Sequence, residues 1–183
     1  LLTRWNELGK LSGKEYIVKT IVTTELLFDM ANKYNVEKFD VLTGFKFIAD
    51  KILNNPEMTF IGGGEESYGF LIGDFVRDKD ANSACFMIAE IAAWAAEQNK
   101  TLYQILKEIY KEFGFYKEGL LSLTKKGISG SEEIKNMMYR FRNDAPKEIL
   151  GSKIVEIKDY KTSICKDVAS GTETIIDLPK SDV

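Results

Sequence analysis

Between Phe60 and Gly69 the chain reads Phe-Ile-Gly-Gly-Gly-Glu-Glu-Ser-Tyr-Gly. The short apolar run Met58, Phe60, Ile61 reads as the end of a buried strand, and it breaks into three consecutive glycines. Those glycines allow φ > 0 and leave no side chain between the backbone and an approaching group. A glycine loop after a strand often cradles phosphate. Here Glu65 and Glu66 follow at once, and they repel a phosphate unless cations intervene. Glutamate accepts hydrogen bonds and serine both donates and accepts, so Glu65, Glu66 and Ser67 suit a neutral partner rich in hydroxyls, such as a sugar. The alternative is a Gly-rich turn with solvated glutamates.

The preceding residues alternate between two periodicities. Leu1–Leu11 reads as the tail of a helix, closed by Gly9 and Gly13. Tyr16–Val22 is rich in β-branched residues and predicts a buried strand. Alternation puts Lys19 on the face opposite Val18, where a solvated edge lysine is one reading. Thr24 can cap a helix reaching about Tyr34, with Glu25 in its first turn. Phe39–Leu42 predicts a second strand, ending at Thr43-Gly44, and then a helix with Phe45, Ile48 and Ile52 on one face. Thr43 and Gly44 form either a simple cap or a source of backbone N–H groups for an oxyanion. Asn54-Asn55-Pro56 stops that helix before a third strand, Met58–Ile61. Strands alternating with helices of this length predict an α/β layer whose sheet is mixed and partly parallel, flanked by helices.

Asp80 is a candidate N-cap for a helix Ala81–Gln98, whose face of Ala84, Ile88, Ile91, Ala92 and Ala95 predicts close packing on the sheet. Thr101 and Gln104 form a capping-box pattern for a helix bearing Leu102, Ile105, Leu106, Ile109, Tyr110 and Phe113, with Gly114 at its end. Both helices read as core. Organisation changes near Gly119. A strand-like Leu120–Thr124 leads into a linker, then Ser129 and Glu132 suggest another capping box before a helix that Pro146 ends. The remainder holds strand-like Lys153–Lys158 and Thr174–Leu178 about a polar turn. The expected division is residues 1–118 as an α/β domain, 119–150 as linker and helix, and 151–183 as a truncated α+β piece with partly unprotected apolar faces.

Composition narrows the function. Among 183 residues, 44% are hydrophobic and 29% charged, as in soluble globular proteins. A net charge of −3 with no basic stripe argues against nucleic acid as partner. The absence of histidine argues against a zinc site or a Ser-His-Asp triad. The two cysteines, Cys85 and Cys165, lie far apart without ligand-like neighbours, which fits a reducing cytoplasm. No run approaches about 20 apolar residues, so no membrane span is expected. The abrupt opening at Leu1 and the close at Leu-Pro-Lys-Ser-Asp-Val read as a piece of a longer protein.

Gly64-Glu65-Glu66-Ser67 resembles the sugar-binding loop, Gly-Glu-x-Ser, of the α-D-phosphohexomutases. Val18-Lys19-Thr20, Leu42-Thr43-Gly44-Phe45-Lys46 and Asp74-Phe75-Val76-Arg77-Asp78-Lys79-Asp80 resemble further motifs of that family, in its order and nearly end to end. The Glu-Glu-Ser-Tyr-Gly variant is closer to phosphoglucomutases and phosphopentomutases than to members whose loop carries histidine; in those, the position of Phe45 also tends to be histidine. The resemblance implies the third domain of such an enzyme and the opening of the fourth. It implies that Gly64, Glu65, Glu66 and Ser67 bind the sugar, that Lys19, Arg77 and Lys79 lie near its phosphate, and that Thr43 and Gly44 border the site.

Ser170-Gly171-Thr172-Glu173 copies the centre of the family's phosphate-binding loop, but Ala169 and Thr174 replace its prolines and the arginine is missing. It reads as an ordinary turn. The family's phosphorylated-serine loop and its Asp-rich magnesium loop are both absent from this sequence, so neither a catalytic residue nor a metal ligand is assigned here. Expected for the whole enzyme are magnesium, a glucose 1,6-bisphosphate-type activator, and domains 1, 2 and 4 of the same chain. Its reaction interconverts hexose 1-phosphate and 6-phosphate by way of a bisphosphate. The competing readings are a phosphopentomutase of the same family or a non-enzymatic sugar- or nucleotide-binding module.

Overall fold

The computed structural model describes residues 1–119 and 122–181, which divide into two compact units, Leu1–Glu118 and Gly119–Val183. In the first, β1 (Glu15–Thr20), β2 (Glu37–Val41), β3 (Thr59–Glu65) and β4 (Gly69–Ile72) form one sheet in the order β2-β1-β3-β4. β1 pairs in parallel with β2 and β3, and β4 closes the edge antiparallel to β3. The predicted mixed, partly parallel sheet is thus observed.

The crossovers place the helices. α2 (Leu26–Lys33) connects β1 to β2 in one direction, and α3 (Phe45–Asn54) returns over β1 to β3, so right-handed connections put them on opposite faces. On the α3 face Tyr16, Val18, Phe60 and Leu71 pack with Val41, Phe45, Ile48 and Ile52. On the other, Ile17 and Ile61 pack with Ala31, Val36 and Leu2 of α1 (Leu2–Glu7). Lys19 shares this second face, as alternation predicts. Burial at these positions is worth about 1.5–3 kcal/mol for each large apolar side chain.

The glycines do not behave as expected. β3 runs straight through Gly62–Gly64, and none of the three adopts positive φ. Close approach accounts for them instead. A Cβ on Gly63 would stand 2.5 Å from the carbonyl oxygen of Val18, and one on Gly64 2.5 Å from that of Gly69. Positive φ falls on Tyr68 (φ 66°), in the turn before β4, a strand the sequence reading missed. The β1–β3 register also shifts by one residue: Tyr16 pairs with Phe60 but Ile17 with Gly62, which leaves Ile61 as a bulge.

α4 (Ala81–Glu97) and α5 (Leu102–Phe113) form where predicted. The Asp80 carboxylate accepts from the N–H groups of Asn82 and Ser83, and the Thr101–Gln104 capping box is complete. Their burial differs from expectation. Only Ala95 of α4 is buried, Ile88 is 59% exposed, and α5 buries no residue fully. α4 lies over β4, and its 17 residues extend about 25 Å where a four-residue edge strand extends about 13 Å. Much of its apolar face therefore has no sheet beneath it. Glu25, with helical φ and ψ, stands at the N-cap of α2 instead of Thr24, although Thr24 Oγ1 still accepts from the Leu26 N–H at 3.3 Å.

In the second unit, α6 (Gly127–Asn143) starts two residues before the predicted Ser129 cap and has no side-chain cap. Gly130 explains the earlier start, since a Cβ there would meet the Lys125 backbone at 2.7 Å. Residues 122–124 form no strand, and the remainder of the expected strand at Leu120–Thr124 lies outside the described residues. β5 (Glu148–Ile149) and β6 (Ser152–Lys153) make a hairpin; β7 (Glu156–Asp159), β8 (Ile164–Asp167) and β9 (Glu173–Ile175) make an antiparallel sheet. β8 occupies what read as a polar turn, and Ser170–Thr172 forms the β8–β9 turn around the Asp167 carboxylate. Ile149, Leu150, Val155 and Ile175 are exposed, as expected of unprotected faces.

Among the described residues no helix is long and apolar enough to cross a membrane.

Candidate functional site

The C-terminal ends of the parallel strands, together with the β3–β4 hairpin, gather the candidate residues. Adjacent glutamates at the hairpin tip reach in opposite directions. Glu65 Oε1 accepts from the backbone N–H of Gly44 at 2.6 Å, at the start of α3. Glu66 Oε2 accepts from Thr23 Oγ1 at 2.8 Å and from Thr20 Oγ1 at 3.3 Å, at the end of β1. The hairpin is thereby tied to the start of α3 on one side and to the end of β1 on the other. The oxyanion served by the Gly44 N–H is the protein's own carboxylate. Gly44 has φ 123°, a value that side chains resist, while Thr43 is exposed and its hydroxyl does not cap α3.

Ser67 is exposed and donates to Glu66 Oε1 at 2.9 Å. Burial pushes the Glu66 carboxyl up, but its own backbone N–H and the hydroxyls of Thr23, Ser67 and Thr20 together pull it below the usual carboxylate range. Glu66 is therefore an ionised acceptor at neutral pH.

Gly69 is the point of convergence. A Cβ there would meet Glu65 Oε2 at 3.0 Å, Lys79 Cδ at 3.2 Å and Phe45 Cδ2 at 3.3 Å. Lys79 lays its ammonium 4.8 Å from the Phe45 ring centroid and pairs with Asp78 at 2.7 Å. Phe45 is itself a core residue. Gly64, Glu65, Glu66 and Lys79 line a largely apolar cavity of about 710 Å³ that α1, α2 and α4 also border. Gly44, Lys46, Asp50, Arg77 and Lys79 line a second cleft of about 920 Å³. Lys79 belongs to both. The second cleft presents three cations beside the start of α3, and Lys46 is one that sequence reasoning did not single out.

Lys19 sits elsewhere. β1 is a central strand, so the solvated-edge reading fails: Lys19 is completely buried. Its ammonium lies 3.1 Å from Glu25 Oε1, 3.1 Å from Asp40 Oδ1 and 4.5 Å from the Phe28 ring centroid. It lines neither cleft. Thr20 and Thr23 also went unnoticed in the sequence; hydroxyls at a strand end become significant only once the hairpin is folded back on them. Among the described residues, no group of three His, Cys, Asp or Glu is placed to hold a metal ion.

Residues 1–113 match the family model described as phosphoglucomutase/phosphomannomutase, alpha/beta/alpha domain III. A phosphoglucomutase of Staphylococcus aureus (strain MRSA252) is 40% identical over 168 residues, covering 91% of this chain and 30% of the relative. One from Staphylococcus epidermidis (strain ATCC 12228) is 38% identical over 166 residues, covering 90% and 30%. The chain thus spans about 30% of the length of these curated relatives. Among solved structures, the open form of the Paramecium exocytosis-sensitive phosphoprotein parafusin, a phosphoglucomutase, shares the fold. Its TM-score is 0.53 at 18% identity, over 87% of this chain and 27% of that one. The chain belongs to the phosphoglucomutase/phosphomannomutase family, and residues 1–113 are its α/β/α domain III.

Proposed function

We propose that this chain is the sugar-recognition part of a phosphohexomutase that interconverts hexose 1-phosphate and hexose 6-phosphate, of phosphoglucomutase or phosphomannomutase type. The observation that carries this reading is the hairpin tip: Glu65 lines the first cleft and exposed Ser67 stands two residues on, each in a hydrogen bond within the protein, and the hairpin lies within the residues matched to domain III. Glu65 and Ser67 grip secondary hydroxyls of the hexose, and Gly64 lets β4 pack close enough to hold them there. Arg77, Lys79 and Lys46 supply positive charge for the phosphate, with Gly44 lining the same cleft and Thr43 next to it in the chain, while Lys19, its ammonium held by Glu25 and Asp40, stays outside both clefts.

In the whole enzyme a phosphoserine gives its phosphoryl group to the free sugar hydroxyl. The bisphosphate then returns its other phosphoryl group to that serine, and the isomeric monophosphate leaves. That serine, the magnesium that assists the transfer electrophilically, and domains 1, 2 and 4 belong to the remainder of the enzyme. Among the described residues no ligand set for the metal exists, so no step assigned to this chain involves one. A hexose bisphosphate serves as activator, and the enzyme works in the cytoplasm.

The test is steady-state kinetics in both directions on the full-length enzyme carrying Glu65→Ala or Ser67→Ala. A loss of kcat/KM in both directions is expected, because one loop reads the hydroxyls whichever way round the sugar binds. Parental kcat/KM in both variants would remove the sugar-reading role.

A further inference from the structure

The Thr20–Thr23–Glu66–Ser67 chain of hydrogen bonds connects the centre of the sheet to the tip of the hairpin. Thr20 ends the central strand β1 and is completely buried. Its Oγ1 lies 2.9 Å from Thr23 Oγ1, which donates to Glu66 Oε2 at 2.8 Å. Glu66 Oε1 accepts from Ser67 Oγ at 2.9 Å. The direction of every proton follows from one fact: an ionised carboxylate can only accept. Thr23 and Ser67 must therefore each donate to Glu66. The Thr20 proton then goes to Thr23 Oγ1, with Glu66 Oε2 as its more distant alternative at 3.3 Å.

The consequence falls on Ser67. A hydroxyl has one proton and two lone pairs. With its proton committed to Glu66, exposed Ser67 Oγ has only lone pairs to offer an incoming group. We infer that Glu66 is a positioning residue: anchored to β1 by the Thr20–Thr23 hydroxyl pair, it takes the Ser67 proton and makes Ser67 a hydrogen-bond acceptor for a sugar hydroxyl. Glu65 is an acceptor too, so these two side chains present acceptors only. Together they select a ligand whose hydroxyls donate to two neighbouring points. Glu66 does not itself touch the sugar.

This inference rests on the sugar-reading role of the hairpin, and the experiment separates the two. In the full-length enzyme, Ser67→Ala tests the reading. Thr23→Val, Thr23→Ser and Glu66→Gln test the inference, with glucose 1-phosphate as substrate and thermal melts as control. Thr23→Val and Glu66→Gln are expected to raise KM about 3- to 10-fold, the worth of one misdirected hydrogen bond, at near-parental Tm. Thr23→Ser, which keeps the hydroxyl, should return KM to within about twofold.

The second measurement is one that a merely structural role does not move. Dissociation constants are compared for glucose 1-phosphate and for its 3- and 4-deoxy and deoxyfluoro analogues. Fluorine cannot donate, so at the hydroxyl facing Ser67 the deoxy and fluoro analogues should weaken equally, and Ser67→Ala should abolish that loss. If Ser67→Ala has no effect, Ser67 does not read the sugar and this inference fails; if Glu65→Ala has none either, the sugar reading fails with it. If Ser67→Ala weakens binding while Thr23→Val keeps the parental KM, or while the fluoro analogues bind as well as the parent sugar, only the inference is overturned.

Discussion

The backbone N–H of Gly44 donates to Glu65 Oε1 across 2.6 Å, joining the start of α3 to the tip of the β3–β4 hairpin, 21 residues further along the chain. An exposed, glycine-flanked loop residue would ordinarily contribute within about ±0.5 kcal/mol to stability. This bond changes the expectation, because Glu65→Ala leaves a partly buried donor without its partner. We expect it to destabilise the domain by about 1–2 kcal/mol. It should also lower kcat/KM of the full-length enzyme by about 10- to 150-fold, against a few-fold to about tenfold for Ser67→Ala. Denaturant titration beside kinetics separates the two effects, and an unchanged midpoint for Glu65→Ala would show that the Gly44 bond contributes nothing net.

The 183-residue chain by itself should not turn over glucose 1-phosphate, because the serine and Asp-rich loops of the family are absent from its sequence. Incubation with magnesium and a trace of glucose 1,6-bisphosphate is the check, and turnover that survived repurification would contradict it.

Gly63→Ala should be among the most damaging single changes in the sheet. Its Cβ would stand 2.5 Å from the Val18 carbonyl oxygen and 3.2 Å from the Phe60 ring. β1 and β3 must separate to admit it, at a cost of about 3 kcal/mol or more. Gly62→Ala, whose closest neighbour would be Leu71 O at 3.2 Å, should cost less. Chemical denaturation of both variants ranks them, and equal midpoints would refute the close-approach account of these glycines.

Lys19→Ala removes a completely buried side chain whose ammonium faces Glu25 and Asp40. The loss should be about 2–5 kcal/mol, from the cavity and from two carboxylates deprived of their cation. Lys19→Met, which fills the space, should recover part of it. Equal stabilities of the two variants would show that volume contributes little at this position.

Glu15 provides a pH handle remote from the site. Its carboxylate accepts from the N–H groups of Ser12 and Gly13 and from the Ser12 hydroxyl, at 2.7–3.0 Å. Burial pushes its pKa up, yet these donors and its own backbone N–H together hold it below the ordinary glutamate value. A lowered folded-state pKa gives stability that is present above the unfolded-state value and lost as pH falls through the folded one. Glu15→Gln should therefore cost about 1–3 kcal/mol at pH 7 and flatten the acid limb of a stability–pH curve below about pH 4.5. A variant that kept the full acid dependence would place that dependence on other carboxylates.

Local signals carried the fold. Alternation in Tyr16–Thr20, the Phe45–Ile48–Ile52 face, the Asp80 cap and the Thr101–Gln104 box are all short-range patterns, and each gave its element. The candidate residues of the hairpin, Gly64–Ser67, are contiguous, so the sequence displays them as one motif. Other features depend on distant parts of the chain. The glycine strand was misread because its cause is the Val18 and Gly69 carbonyls, not turn geometry. The exposure of Ile88 depends on how far β4 extends beneath α4, and that of Leu106 on the packing of α5 against α2 and α4, neither of which helical periodicity can report. Thr20 and Thr23 acquire their role only from Glu66, more than 40 residues away.

The bulge at Ile61 sets a parity. Side chains of a strand alternate between faces, so one extra residue reverses the assignment of every position that follows. With the bulge, Glu65 falls on the α3 side, within reach of Gly44, and Glu66 is left to reach the β1–α2 turn. Deleting one residue from this stretch would exchange the two glutamates while leaving the motif Gly-Glu-Glu-Ser intact as text. The same letters would then describe a different arrangement, with the first carboxylate aimed at the threonines and the second at Gly44.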